Sequence, residues 1–155
     1  MLATVPGHYQ ICSLQNLTLV FWAAQANAAA AHNILLVTRK FVLQHPEGFS
    51  CIHIVREGAA VPDAAARAGF VKMMDEFQQH MKCVGVVLDG AGFWASAVQG
   101  AITGMRMLAP RTFVIRIASS TDEIASWLAP ESSRRTGIKV EPAHVSEAIH
   151  AARIF

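Results

Sequence analysis

The chain reads as a single α/β domain: a mixed, mainly parallel sheet of about five strands, helices on both faces, and a C-terminal helix. Three observations predict this. Residues 83–88 (Cys-Val-Gly-Val-Val-Leu) run apolar without alternation, as a strand does when helices cover both its faces. After an opening hairpin, strand patterns alternate with helical ones. The 155 residues are 53% hydrophobic and only 15% charged, enough for one substantial core and too uncharged for a coiled coil or a disordered segment.

Residues 9–13 and 17–23 predict two strands joined by a turn at Gln15-Asn16. Asn27 is a helix N-cap, and the helix it opens runs to about Gln44 with Ile34, Leu35, Phe41 and Val42 on one face. Pro46-Glu47-Gly48 breaks the chain, and residues 49–55 form a strand. Pro62 suits the first position of a second helix. Its stripe Ala66, Phe70, Met73, Met74, Phe77 and Met81 keeps helical period, and reads as core before it reads as a ligand groove. Asp89-Gly90-Ala91-Gly92 turns the chain into a third helix that Pro110 stops near Leu108. Residues 112–118 predict the last main strand. Ser120 and Glu123 form a capping box for a short helix through Trp127 and Leu128. Residues 130–137 read as a polar loop, 138–140 as a short edge strand, and 142–153 as a final helix. The whole of 1–155 is one domain, with 130–155 a C-terminal extension.

Thirteen basic against eleven acidic side chains leave a charge of +2, too even to point to nucleic acid. Cys12, Cys51 and Cys83 are an odd, widely spaced set with no CxxC pair, so neither a disulfide framework nor zinc is expected. The apolar run 17–24 and the Ala-x-Ala patterns after it imitate a signal peptide, but no Lys or Arg precedes Arg39. No stretch is long enough to span a bilayer. The expected location is the cytoplasm.

Few residues gather the types that chemistry needs. Gly90-x-Gly92-x-x-Ala95 fits a dinucleotide fingerprint between strand and helix, where glycines let backbone N–H groups approach a phosphate. Phe93 and Trp94 crowd that turn, and the next strand ends without a carboxylate, so a tight glycine turn is the favoured reading. His53 shares a strand face with Cys51, a pair able in principle to act as nucleophile and base or to ligate a metal; a packed core or groove histidine is favoured. The other histidines are scattered without HxxxH spacing, so no metal is expected. Ser96, Gly100 and Gly104 make a smooth stripe on the third helix, suited first to packing on the sheet and second to a seam between two copies. Arg111 and Arg116 could hold an anion. The residues carried forward as ligand-binding candidates are His53, Asp89, Gly90, Gly92, Trp94, Ser96 and Arg116. No catalytic set and no cofactor are expected.

Val84-Gly85-Val86-Val87-Leu88-Asp89 followed by Trp94, then Phe113-Val114-Ile115-Arg116-Ile117 and Asp122-Glu123-Ile124-Ala125-Ser126-Trp127-Leu128, resemble the SpoIIAA-like, or STAS/SEC14-like, bacterial domains over about residues 8–129. The resemblance implies a compact regulatory or binding domain rather than a catalyst. In the STAS branch a serine after an aspartate, at a helix start, is phosphorylated; the matching place here is Asp63-Ala64, which lacks a hydroxyl. The expectation is a non-enzymatic module, a homodimer, acting through a protein partner or a small apolar ligand. The alternatives are a nucleotide- or anion-binding enzyme centred on the 89–92 turn, and a structural homo-oligomer.

Overall fold

A computed structural model describes residues 3–108 and 112–153. Eleven elements follow in order: β1 (Ala3–Val5), β2 (Tyr9–Leu14), β3 (Leu17–Trp22), α1 (Ala28–Gln44), β4 (Phe49–Arg56), α2 (Ala64–Glu76), β5 (Met81–Asp89), α3 (Gly92–Leu108), β6 (Val114–Ala118), α4 (Thr121–Thr136) and α5 (Pro142–Ala152). The six strands form one sheet in chain order. β1, β2 and β3 make an antiparallel meander; β3 to β6 are parallel.

Parallel neighbours need a crossover, and strands added one after another in one direction bring their connecting helices onto one face. That face carries α1, α2 and α3, whose Ile34, Phe41, Phe70, Met73 and Val98 pack with Tyr9, Val20, Cys51 and Val86 of the sheet. The opposite face is covered by the chain's last two helices. Ile124 and Leu128 of α4 and Val145 and Ile149 of α5 pack with Leu19, Ile52, Ile54 and Val87. With both faces covered, β3 is buried throughout and β5 almost so, as the unalternating apolar run at 83–88 predicts.

α4 can lie flat on β5 because of Gly85. A Cβ there would stand 2.8 Å from Ile124 Cγ1 and 3.3 Å from Leu128 Cδ1. Between α1 and α2 the close approach is at Gly69, where a Cβ would come 2.9 Å from that of Ala31. Asn27 caps α1 by accepting from Ala30 N at 2.9 Å, and Ser120 caps α4 by accepting from Glu123 N at 3.2 Å, both as the sequence predicts.

Several expectations are corrected. The sheet has a sixth strand, β1, too short to show a period. Helix α2 starts one residue after Asp63, whose carboxylate accepts from Ala66 N at 2.7 Å; Pro62 stands before this cap, not at the first helical position. The apolar stripe leaves the helix at Phe77, so Met81 is the first residue of β5. The predicted loop 130–137 is helix: α4 runs through Pro130 to Thr136 and ends at Gly137, in the left-handed conformation. Pro130 is exposed, so the carbonyl that its missing N–H would have bonded, that of Ser126, also on an exposed position, can turn to water. Residues 138–140 form no strand; Val140 N instead donates to Ser133 Oγ of α4 at 2.9 Å, which holds the segment against the helix. The stripe Ser96, Gly100, Gly104 does not pack on the sheet. All three residues are exposed, and a Cβ on either glycine would meet nothing within 4 Å. The readings placed on Pro110 and Arg111 lie outside the described residues.

Candidate functional site

On the α1–α3 face, β4 and β5 and the helices α2 and α3 enclose a cavity of about 90 Å³. Its walls are the Phe70, Met73 and Met74 side of α2, the Val98, Ile102 and Met105 side of α3, and Val84 and Val86 of β5. Alternation along β4 turns Cys51, His53 and Val55 to the same space, while Ile52 and Ile54 go to the other core. No Lys, Arg, Asp or Glu is among the lining residues. Trp22 of β3, Ile115 of β6 and, from the loop between β4 and α2, Ala59 and Ala60 add to the wall.

His53 is the one strongly polar side chain there whose ring nitrogens are not both satisfied by ordinary partners. Trp22, on the neighbouring strand β3, donates its indole N–H to His53 Nδ1 at 3.1 Å. The two rings are nearly parallel, 9° apart, and Phe70 meets the imidazole edge-on at 79°. Burial pushes His53 down to about 4, so the ring is neutral at pH 7. An indole N–H is only a donor, so Nδ1 must be the acceptor and the single imidazole proton sits on Nε2. Nε2 faces Cys51 Sγ at 3.8 Å.

That pair is unsuited to nucleophilic catalysis. Burial, with a smaller contribution from Cys83, pushes the Cys51 thiol up to about 12. A nucleophilic cysteine needs a lowered value and a base beside it. Here the thiol is held protonated, and the adjacent imidazole nitrogen already carries a hydrogen. Cys83 lies in the opposite core, where burial raises it as well.

The other residues singled out in the sequence do not converge on this space. Asp89 ends β5 on the α4–α5 side and pairs with Arg153 at the end of α5. Gly90 is closely covered: a Cβ would come 2.9 Å from the Trp94 ring. Trp94 donates its indole N–H to Ala59 O at 2.6 Å, pinning the first turn of α3 to the loop that edges the cavity. Gly92 has φ +73°, which favours glycine, and opens α3 in solvent. Ser96 donates back to Gly92 O at 3.2 Å, within its own helix. Phe93, read from the sequence as crowding the turn, is 90% exposed. Arg116 is on the far face of the sheet, paired with Glu123 at 3.1 Å and lying over Trp127. His53, Asp89 and Arg116 are thus distributed over two faces and an edge. No group of three or more metal-ligating side chains occurs among the described residues.

Trp22 and the cavity faces of α2 and α3 were not singled out as ligand-contacting from the sequence. The methionines and Phe70 of the α2 stripe were its nearest signal, and they serve both as core and as cavity wall. No family model, no curated protein and no solved structure matches this chain.

Proposed function

We propose that this domain is a non-enzymatic binding module, of the STAS/SEC14-like kind its sequence resembles, that holds a small apolar molecule between its sheet and helices α2 and α3. The observation that carries the reading is the cavity itself: an uncharged space of about 90 Å³ lined by one imidazole, whose N–H has only a cysteine sulfur as partner. An apolar cavity of roughly 150 Å³ can stay dry and hold one benzene. At about 90 Å³ this one takes a smaller guest as it stands, and a small aromatic once the flexible Met73, Met74 and Met105 side chains of its wall shift. The cysteine–histidine pair in the wall is tuned away from reactivity, which favours binding over turnover. The test is thermal unfolding with ethylbenzene in excess. The wild type should gain several degrees, since a ligand at a hundred times its dissociation constant adds about 2.7 kcal/mol. Val98→Phe, which fills the cavity from α3, should gain nothing. Absence of any shift in the wild type overturns the reading.

A second reading, a homodimer, has its own observation. Phe93, Gly100, Gly104, Met107 and Leu108 recur at helical spacing along one outer side of α3. Phe93, Met107 and Leu108 are 90%, 80% and 76% exposed. A seam through this side would bury them. Sedimentation at high protein concentration should then show a dimer that Phe93→Asp dissociates; a monomer throughout removes this reading. Among the described residues no helix is long and apolar enough to cross a membrane.

A further inference from the structure

We infer that the ligand of this cavity is a neutral molecule bearing a carbonyl-type oxygen, which accepts the Nε2–H of His53. The inference rests on the cavity being a binding site and adds the chemistry that the site selects. Three arrangements carry it. First, the Trp22 indole occupies Nδ1 at 3.1 Å, so the imidazole can offer the cavity a hydrogen but no lone pair. Second, the remaining N–H has only the Cys51 sulfur, 3.8 Å away, a weak acceptor, and a stronger one is missing from the side chains of the wall. A part-buried donor whose one partner is a weak acceptor favours a guest that brings a better one. Third, the lining has no charged side chain. A carboxylate or an ammonium would have to shed its hydration with no counter-charge to replace it, a cost that excludes ionised guests.

The ring cannot readily reverse these roles. Trp22 stands on β3, in register with Val55, and His53 is opposite Val20; the two side chains meet diagonally across a parallel pair of buried strands. Phe70 of α2 closes the imidazole's edge. Turning the ring to present Nδ1 would leave the Trp22 N–H buried without an acceptor.

The probes are three phenyl compounds that differ in the short group on the ring: acetophenone, ethylbenzene and benzylamine. Binding is measured by titration against the intact chain, and the imidazole tautomer by long-range proton–nitrogen correlation of the free protein. Acetophenone should bind roughly three- to tenfold more tightly than ethylbenzene, the range expected for one net hydrogen bond. Benzylamine, charged at neutral pH, should bind more weakly than both. His53→Phe should still take ethylbenzene and lose the preference for acetophenone. The free protein should show His53 protonated on Nε2 alone; this needs no variant and stands if the substitution fails to fold. Equal affinity for acetophenone and ethylbenzene, or a proton on Nδ1, overturns the inference while leaving the cavity a site for hydrocarbons. No binding of any of the three overturns the binding reading and this inference with it.

Discussion

The indole N–H of Trp22 on β3 donates to Nδ1 of His53 on β4 at 3.1 Å, and this contact decides which face of the imidazole chemistry the protein can use. A histidine with Nδ1 so occupied and a value near 4 is neither a base nor a cation at neutral pH; it is a fixed donor.

Removing the donor exposes its worth. Trp22→Phe leaves Nδ1 buried without a partner and empties part of the contact with Tyr9 and Phe70. The expected loss is about 2 kcal/mol in urea unfolding, within the range for a buried unsatisfied group. The His53 ring should then populate both tautomers in the nitrogen spectrum.

Stability should fall with acid in a defined window. The unfolded histidine protonates near 6.5, and the folded one only near 4. Between those values the unfolded state binds more protons, so stability is full above pH 6.5 and declines as the pH drops towards 4, by at most about 3 kcal/mol. Glu76, held below its ordinary value chiefly by its hydrogen bond from Arg39, contributes in the same sense at the acid end. The difference between wild type and His53→Gln isolates the histidine: its pH-dependent loss across this window should vanish in the variant.

Two glycine substitutions should move stability in opposite directions. Gly85→Ala puts a methyl 2.8 Å from Ile124 in the contact of α4 with β5, and should cost about 1–3 kcal/mol as overpacking. Gly100→Ala on the outer side of α3 meets nothing within 4 Å and should stabilise by up to about 1 kcal/mol through helix propensity. Chemical denaturation of both variants beside the wild type checks the signs. A dimer seam on α3 would make Gly100→Ala weaken association at the same time.

The cysteines should differ in reactivity. Cys12 is partly exposed, whereas Cys51 and Cys83 are buried and both raised by that burial. Brief iodoacetamide treatment at pH 8, followed by peptide mass analysis, should label Cys12 first and leave Cys51 unmodified until the protein is unfolded.

The alternation of strand and helix, the caps at Asn27 and Ser120, and the doubly covered strand at 83–88 were legible in the amino-acid order, because each depends on a local pattern: a period, a capping side chain, a run of apolar residues. His53 could be placed on a face with Cys51 for the same reason. What only the tertiary structure decided is which partners those faces meet. Pro130 stays in a helix because its ring is at the surface, which no local rule about proline reveals. Gly100 and Gly104 face outward and Gly69 inward, although all three sit in helices and look alike in sequence. Asp89 and Arg116 are candidates beside His53 in the sequence, yet strand parity and the return of α4 and α5 across the second face send them away from it. The meeting of Trp22 with His53, residues 31 apart in the chain, exists only once β3 and β4 are in register. Contact between distant segments, not the character of any one segment, is what makes the cavity and orients its single donor.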